Sequence, residues 1–224
     1  MNTFRLPLRL LAYAALAWLG WLMVQITAQY WPISDDAAFL QIKQDYIEIL
    51  HWKVAFYVHV FTSLFALAAG FTQFAPRVLR RWPKVHRWVG RLYVVDVCLI
   101  TGPASFIMAL YANGGVTSRL AFGILATLWM GTTALAYRTA RQRRWPEHRG
   151  WMMRSYALTL SALALRGWKW ALAPLFASHP MDLYRLVAWL GFVPNLLLAE
   201  WLIRRGRPRR VVEIPAAAPK PEVV

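Results

Sequence analysis

Arg81-Trp82-Pro83-Lys84-Val85-His86-Arg87-Trp88-Val89-Gly90-Arg91-Leu92-Tyr93 and Arg144-Trp145-Pro146-Glu147-His148-Arg149-Gly150-Trp151-Met152-Met153-Arg154-Ser155-Tyr156 are one phrase written twice. Arg81, Trp82, Pro83, Arg91 and Tyr93 recur 63 positions later, whereas His86-Arg87 recurs 62 positions later as His148-Arg149, so one small gap restores the register. Each phrase ends an apolar hairpin of similar length. The pattern predicts an all-α membrane bundle with a duplicated two-helix unit at its centre, residues 53–176, because internal repeats are a common way to build such bundles. It also places two histidines, with their arginines, at equivalent points of the two halves.

Composition agrees with a bilayer environment. Hydrophobic residues are 58% of 224, only 16% are charged, and there are thirteen tryptophans, a balance that a soluble domain of this size would hardly keep in solution. The net charge of +16 does not point to nucleic acid, since the basic residues fall in short clusters between apolar runs instead of on one soluble face. Cys98 is the single cysteine and lies inside an apolar run, which excludes an internal disulfide and a cysteine-rich metal site. No serine elbow, His-Glu-x-x-His or cysteine nucleophile suggests a hydrolase.

A spanning helix needs about 20 apolar residues, because lipid offers the backbone no hydrogen-bonding partner. Six stretches qualify: Leu8–Tyr30, Lys53–Phe74, Trp88–Tyr111, Thr117–Tyr137, Met153–Phe176 and Leu183–Ile203. Together they predict one six-helix domain over residues 1–210. Arg5 and Arg9 precede the first stretch, and further basic clusters follow the second, fourth and sixth, all on one side. The positive-inside rule makes that side the cytoplasm, with both termini inside and Asp35, Asp36, Asp45 and Glu48 outside. A cleaved signal peptide is the alternative for the first stretch, but its apolar run is long and no small-x-small site follows before Tyr30. Phe39, Ile42, Tyr46 and Ile49 predict a short helix lying on the outer face within an amphipathic segment, residues 31–52. The tail, residues 211–224, has too little apolar surface to fold and is expected to be a disordered cytoplasmic extension.

Ionisable groups inside a span cost roughly 2.5 to 3.5 kcal/mol each and usually face the bundle interior with a partner. His59, Thr62, Ala66, Gly70 and Gln73 share one face of the second span; His148, Met152, Ser155, Thr159, Ala162, Arg166 and Lys169 share one of the fifth. Asp96 falls in the inner half of the third, within reach of Arg91 or Arg154. These depths give an inner polar layer of His86, Arg91, Asp96, His148 and Arg154, and an outer one of His59, Arg166, Lys169 and Arg119. Snorkelling to headgroups explains arginines near span ends equally well, and a polar helix start explains His86 and His148 equally well. Asp96 and Arg166 are too deep for that. Pro103 and Pro194 each predict a break within a span.

The quoted phrases, with His59, Gly70-Phe71-Thr72-Gln73-Phe74 and Arg166, resemble the signatures of a bacterial family of predicted membrane proteins catalogued as a domain of unknown function. The resemblance covers roughly His59 to Arg166 and implies no established activity. A looser resemblance is to transmembrane b-type cytochromes and ferric-reductase-like bundles, in which histidines on facing helices hold haem. It implies one haem b with His86 and His148 as ligands of the iron, Arg87, Arg91, Arg149 and Arg154 at its propionates, Gly90 leaving room for the ring, and a quinone or redox protein as partner. The fourth span has no histidine, so His59 lacks a partner for a second haem. Three functions therefore stay open: a cytochrome-like redox protein, a carrier or sensor of a small anion or lipid headgroup using Arg166, Lys169 and His59, and a structural or assembly subunit.

Overall fold

Both Arg-Trp-Pro phrases start helices, and both prolines sit in the first turn, where the missing N–H costs nothing. In the computed structural model, which describes residues 5–176 and 179–206, they open α5 (Pro83–Val95) and α8 (Trp145–Thr159). The other helices are α1 (Arg5–Ala28), α2 (Gln44–Ile47), α3 (Leu50–Gln73), α4 (Pro76–Arg81), α6 (Gly102–Leu110), α7 (Val116–Arg141), α9 (Ser161–Leu172), α10 (Pro180–Leu190) and α11 (Val193–Arg205). There is no strand among the described residues. The tail expected to be disordered lies outside them, as do Arg207, Arg209 and Arg210.

Among the described residues, four helical stretches are long and apolar enough to cross a bilayer: Leu50–Gly70, Pro83–Leu110, Val116–Arg141 and Pro180–Arg205. The first of the six expected stretches lies in the 24-residue α1, of which Ala17–Ala28 counts among the described residues as a shorter apolar helix. The fifth, Met153–Phe176, is not among the four; it carries Arg154, Arg166 and Lys169.

α5 continues without interruption into a π-helical turn, Asp96–Thr101, and then into α6. Pro103, in the first turn of α6, has no N–H to give the preceding turn, so the hydrogen-bond pattern widens there. Gly191 and Phe192 separate α10 from α11, with Pro194 in the first turn of the latter. α3 runs antiparallel to the stretch from α5 to α6, and side-chain bonds at both ends show it. Gln73 Nε2 donates to the His86 carbonyl at 3.2 Å, joining the end of α3 to the start of α5. At the other end His51 Nε2 meets the Tyr111 hydroxyl at 2.6 Å. α7 packs along both α6 and α8, α3 closes the ring against α6 and α8, and α10–α11 lean on α7, α8 and α9 from outside.

The core holds Tyr93, Val97, Trp129, Met152 and Leu158, with Ala66, Ala69, Ala121, Ala136 and Ala188 allowing close approach of the helices. Gly70 is tighter still. A Cβ there would stand 1.7 Å from Cε2 of Tyr156, so the ring occupies the notch that the glycine leaves in α3.

The outer segment is not one surface helix. It forms a 3-10 turn, Ala38–Ile42, followed by the single turn α2. Leu40, Lys43 and Ile47 are buried while Ile42 is exposed, so the buried face is turned from the one the spacing predicts. Phe39, Tyr46 and Ile49 pack with Leu40 and Ile47 around Trp52 and Phe56. The segment is therefore a cap on the bundle and not a float on the bilayer.

Candidate functional site

The inner polar layer divides into separate contacts. His86 and His148 each take the first backbone hydrogen bond of their helix, His86 N–H to the Trp82 carbonyl at 3.1 Å and His148 N–H to that of Arg144 at 2.9 Å. Both stand four residues past the helix cap, and the two rings lie within electrostatic reach of each other. The sequence gap thus places the histidines equivalently. Nδ1 of His148 donates to the Ala136 carbonyl at 2.8 Å, which leaves Nε2 as the acceptor nitrogen. Nδ1 of His86 is buried without a partner.

The arginines around this pair diverge. Arg154 forms a bidentate pair with Glu200 of α11 through Nε and Nη2, and its guanidinium lies 4.5 Å from the centre of the Trp151 ring. Arg91 is exposed, 5.6 Å from the Trp88 ring centre, and Arg87 and Arg149 are exposed as well. Asp96 pairs with neither Arg91 nor Arg154, contrary to the sequence expectation. Its Oδ1 is bonded to the Thr101 hydroxyl at 2.5 Å, while Oδ2 is buried without a partner. The space expected beside Gly90 is filled: a Cβ on that glycine would lie 2.9 Å from Oε1 of Gln73.

Between the layers, hydroxyls from three helices meet. The Tyr93 hydroxyl lies 2.7 Å from Ser155 Oγ and 2.8 Å from Thr159 Oγ1. Trp129 Nε1 donates to Thr159 Oγ1 at 2.9 Å, and Thr133 Oγ1 reaches Ser155 Oγ at 2.7 Å. Each of these polar groups is buried and satisfied, so the cluster fixes α5, α7 and α8 in register. Ser155 and Thr159 belong to the fifth-span face already read from sequence. Trp129 was missed, since the indole nitrogen of one tryptophan among thirteen carries no positional signal.

Above this cluster lies a cavity of about 500 Å³ that reaches the cap formed by residues 38–47. Trp129 and Thr159 form part of its floor, and its walls are mostly aromatic and aliphatic side chains. His59, Arg166 and Lys169, predicted as an outer layer, all line it, joined by Lys43. Arg119, the fourth group of that layer, does not. No Asp or Glu is among the described residues that line the cavity. Arg166 donates to the carbonyl of Ala162 in its own helix at 2.8 Å and stays accessible because it faces this space. Nδ1 of His59 lies 2.8 Å from Ser105 Oγ.

Lys43 closes the outer end. Its Nζ donates to the Tyr111 carbonyl and, at 2.7 Å, to Oδ1 of Asn113, and it stands 4.8 Å from the Tyr46 ring centre. Burial, and then the charge of Arg119, bring this amine down to about 8. Sequence reading passed over Lys43 because the face read across residues 34–50 was that of Phe39, Ile42, Tyr46 and Ile49, and Lys43 stands about 80° of helix from its middle. No group of three or more histidines, cysteines or carboxylates converges as a metal site among the described residues.

Residues 56–203 match the model of the family described as predicted membrane protein, DUF2306. The chain belongs to that family. The match takes in α5, the π turn and α6 to α10 whole, with all but the first turn or two of α3 and all but the last of α11, so the hydroxyl cluster and the paired histidines lie inside the family's core. Lys43 and the cap lie before it. No curated protein and no solved structure matches the chain.

Proposed function

We propose that this member of the family is a six-span bacterial inner-membrane protein, its termini cytoplasmic and its core a duplicated hairpin, that holds an anionic amphiphile in the outer cavity. The carrying observation is the charge of that cavity. Lys43, Arg166 and Lys169 line it with no carboxylate among the described lining residues, inside a bundle whose surroundings are apolar. Uncompensated cations there are costly, and an acidic head group offsets that cost. The aromatic and aliphatic walls suit the chain of such a molecule, and a volume of about 500 Å³ is that of a pocket for a small ligand. His59 and Ser105 offer polar contacts beside the head group. Binding of this kind serves a carrier or a sensor.

The test compares a long-chain fatty acid, its uncharged methyl ester and a neutral quinone as ligands of the protein purified in mild detergent. A charge-assisted hydrogen bond contributes about 1.5–3 kcal/mol, so Arg166→Ala weakens the acid at least about tenfold and leaves the ester unchanged. Equal affinity for acid and ester overturns the reading. Tight binding of the quinone alone moves it towards electron transfer.

A second reading, a single haem b between His86 and His148, draws support from the unpartnered Nδ1 of His86 and the free Nε2 of His148. Against it stand Gln73 in the space beside Gly90 and Glu200 on Arg154, which leave the ring and its propionates without the expected cradle. Bound there, haem would supply one-electron chemistry. Absorption spectra of oxidised and dithionite-reduced protein, with His86→Ala and His148→Ala, decide it: a sharp reduced band lost in both variants establishes the haem, and a colourless folded protein removes it.

A further inference from the structure

We infer that Asp96 is a proton-binding site in the middle of the bundle, occupied in the arrangement seen here. The argument is a count of protons. Asp96 Oδ1 and Thr101 Oγ1 are 2.5 Å apart, Thr101 Oγ1 and Thr62 Oγ1 are 2.5 Å apart, and Thr62 Oγ1 lies 2.7 Å from the Val58 carbonyl. Three oxygen–oxygen contacts of that length need three protons. The two threonine hydroxyls supply two. The Val58 carbonyl has none to give, so the third belongs to the carboxyl of Asp96. The chain then runs one way: Asp96 donates to Thr101, Thr101 to Thr62 and Thr62 to Val58.

The surroundings agree. Asp96 is 5% exposed, and among the described residues no ion pair includes it. Of the titratable groups on the helices packed against it, His59 of α3 is bonded to Ser105 and Tyr93 of α5 to Ser155 and Thr159. Cys98, on the same turn, points to the Met130 carbonyl of α7 at 3.7 Å, and α6 carries no titratable side chain. No cation is therefore placed to hold a carboxylate there, and a neutral acid avoids the cost of a lone charge. Oxygens only 2.5 Å apart leave no room for a metal ion between them, so the bound cation is a proton. The pairing of Asp96 with Thr101 spans five residues, a separation that a π turn brings together and an α-helix does not.

Losing the proton reverses the bond at Asp96. Thr101 must then donate to the carboxylate, which leaves the single Thr62 proton for two contacts, Thr101 and Val58, so one of the two is given up. Thr62 stands one turn from His59, so the change is felt in the wall of the outer cavity. That last link rests on the cavity being a binding site; the proton site itself does not.

Infrared difference spectroscopy on the full chain in lipid nanodiscs tests it. A protonated carboxylic acid has a C=O stretch separate from that of a carboxylate. The expected result is such a band near neutral pH, lost on raising the pH and absent in Asp96→Asn, which imitates the protonated shape. A folded Asp96→Asn protein with an unchanged carboxylic-acid region at every pH overturns the inference. Should Asp96→Asn not fold, Thr101→Val removes the acceptor of the carboxyl proton, and the band must move; an unmoved band overturns it equally. If the band behaves as expected while fatty-acid affinity has the same pH profile in wild type and Asp96→Asn, the proton site stands and its link to the cavity falls.

Discussion

α5 and α8 begin alike and then part company. Both start with Arg-Trp-Pro or one residue out of step with it, and both carry a histidine four residues past the cap. Beyond the histidine α8 has one residue more. One residue is about 100° of helix, so the shared arginine and tyrosine point in different directions in the two helices. Tyr93, eleven residues past its cap, faces the bundle centre; Tyr156, twelve past its own, donates to the Leu67 carbonyl at 3.0 Å from the notch at Gly70. The residue of α8 that matches Tyr93 in helical position is Ser155, and the two are hydrogen-bonded to each other. The one-residue difference in register between the two phrases makes α5 and α8 complementary where their sequences are alike.

The arginines should show the largest difference. Arg154 is held by Glu200 at both guanidinium and carboxylate, partly shielded from solvent, whereas Arg91 only overlies Trp88 at the surface. Arg154→Ala is expected to cost about 2 kcal/mol in unfolding measurements in detergent, since it takes a bonded partner from a partly buried carboxylate. Arg91→Ala should cost no more than about 0.5 kcal/mol. Equal effects would mean that the slip does not separate their roles.

The tyrosines come next. Tyr93→Phe removes a hydroxyl that joins Ser155, Thr159 and Trp129, though each of those keeps another bond, so the expected loss is about 1.5 kcal/mol. Tyr156→Phe deletes one bond to a helix carbonyl and should cost about half as much. The double variant sharpens this further: the two residues share no partner, so their effects should add.

How much of this arrangement the sequence discloses depends on the kind of contact. Repeat, apolar runs and helical faces are local patterns, and they led to an all-helical membrane bundle with Ser155, Thr159, His59 and Arg166 turned inward. Asp96 was found as a buried group but given the wrong partner. Its true partner, Thr101, is five residues on, and only a π turn brings that spacing together. Lys43 was hidden for a like reason: the chain around it changes from a 3-10 turn to α2, so no single period describes its face. Gln73 was read as part of an inward face, but that it fills the space at Gly90 follows from two helices meeting and not from either alone.

The smallest effect bears on what the histidines are for. His148 donates to the Ala136 carbonyl, so His148→Ala gives up one hydrogen bond and should cost about 1 kcal/mol. His86 buries a ring nitrogen with nothing to bond to, and a buried polar atom without a partner weakens the fold it sits in. His86→Leu, which keeps the volume and removes that atom, should therefore be neutral or slightly stabilising in the purified protein. The opposite result would carry more information. A clear loss of stability in His86→Leu, set beside the modest loss in His148→Ala, would show that His86 is satisfied in solution by something that this chain does not itself provide, and would return the paired histidines to the centre of the protein's chemistry.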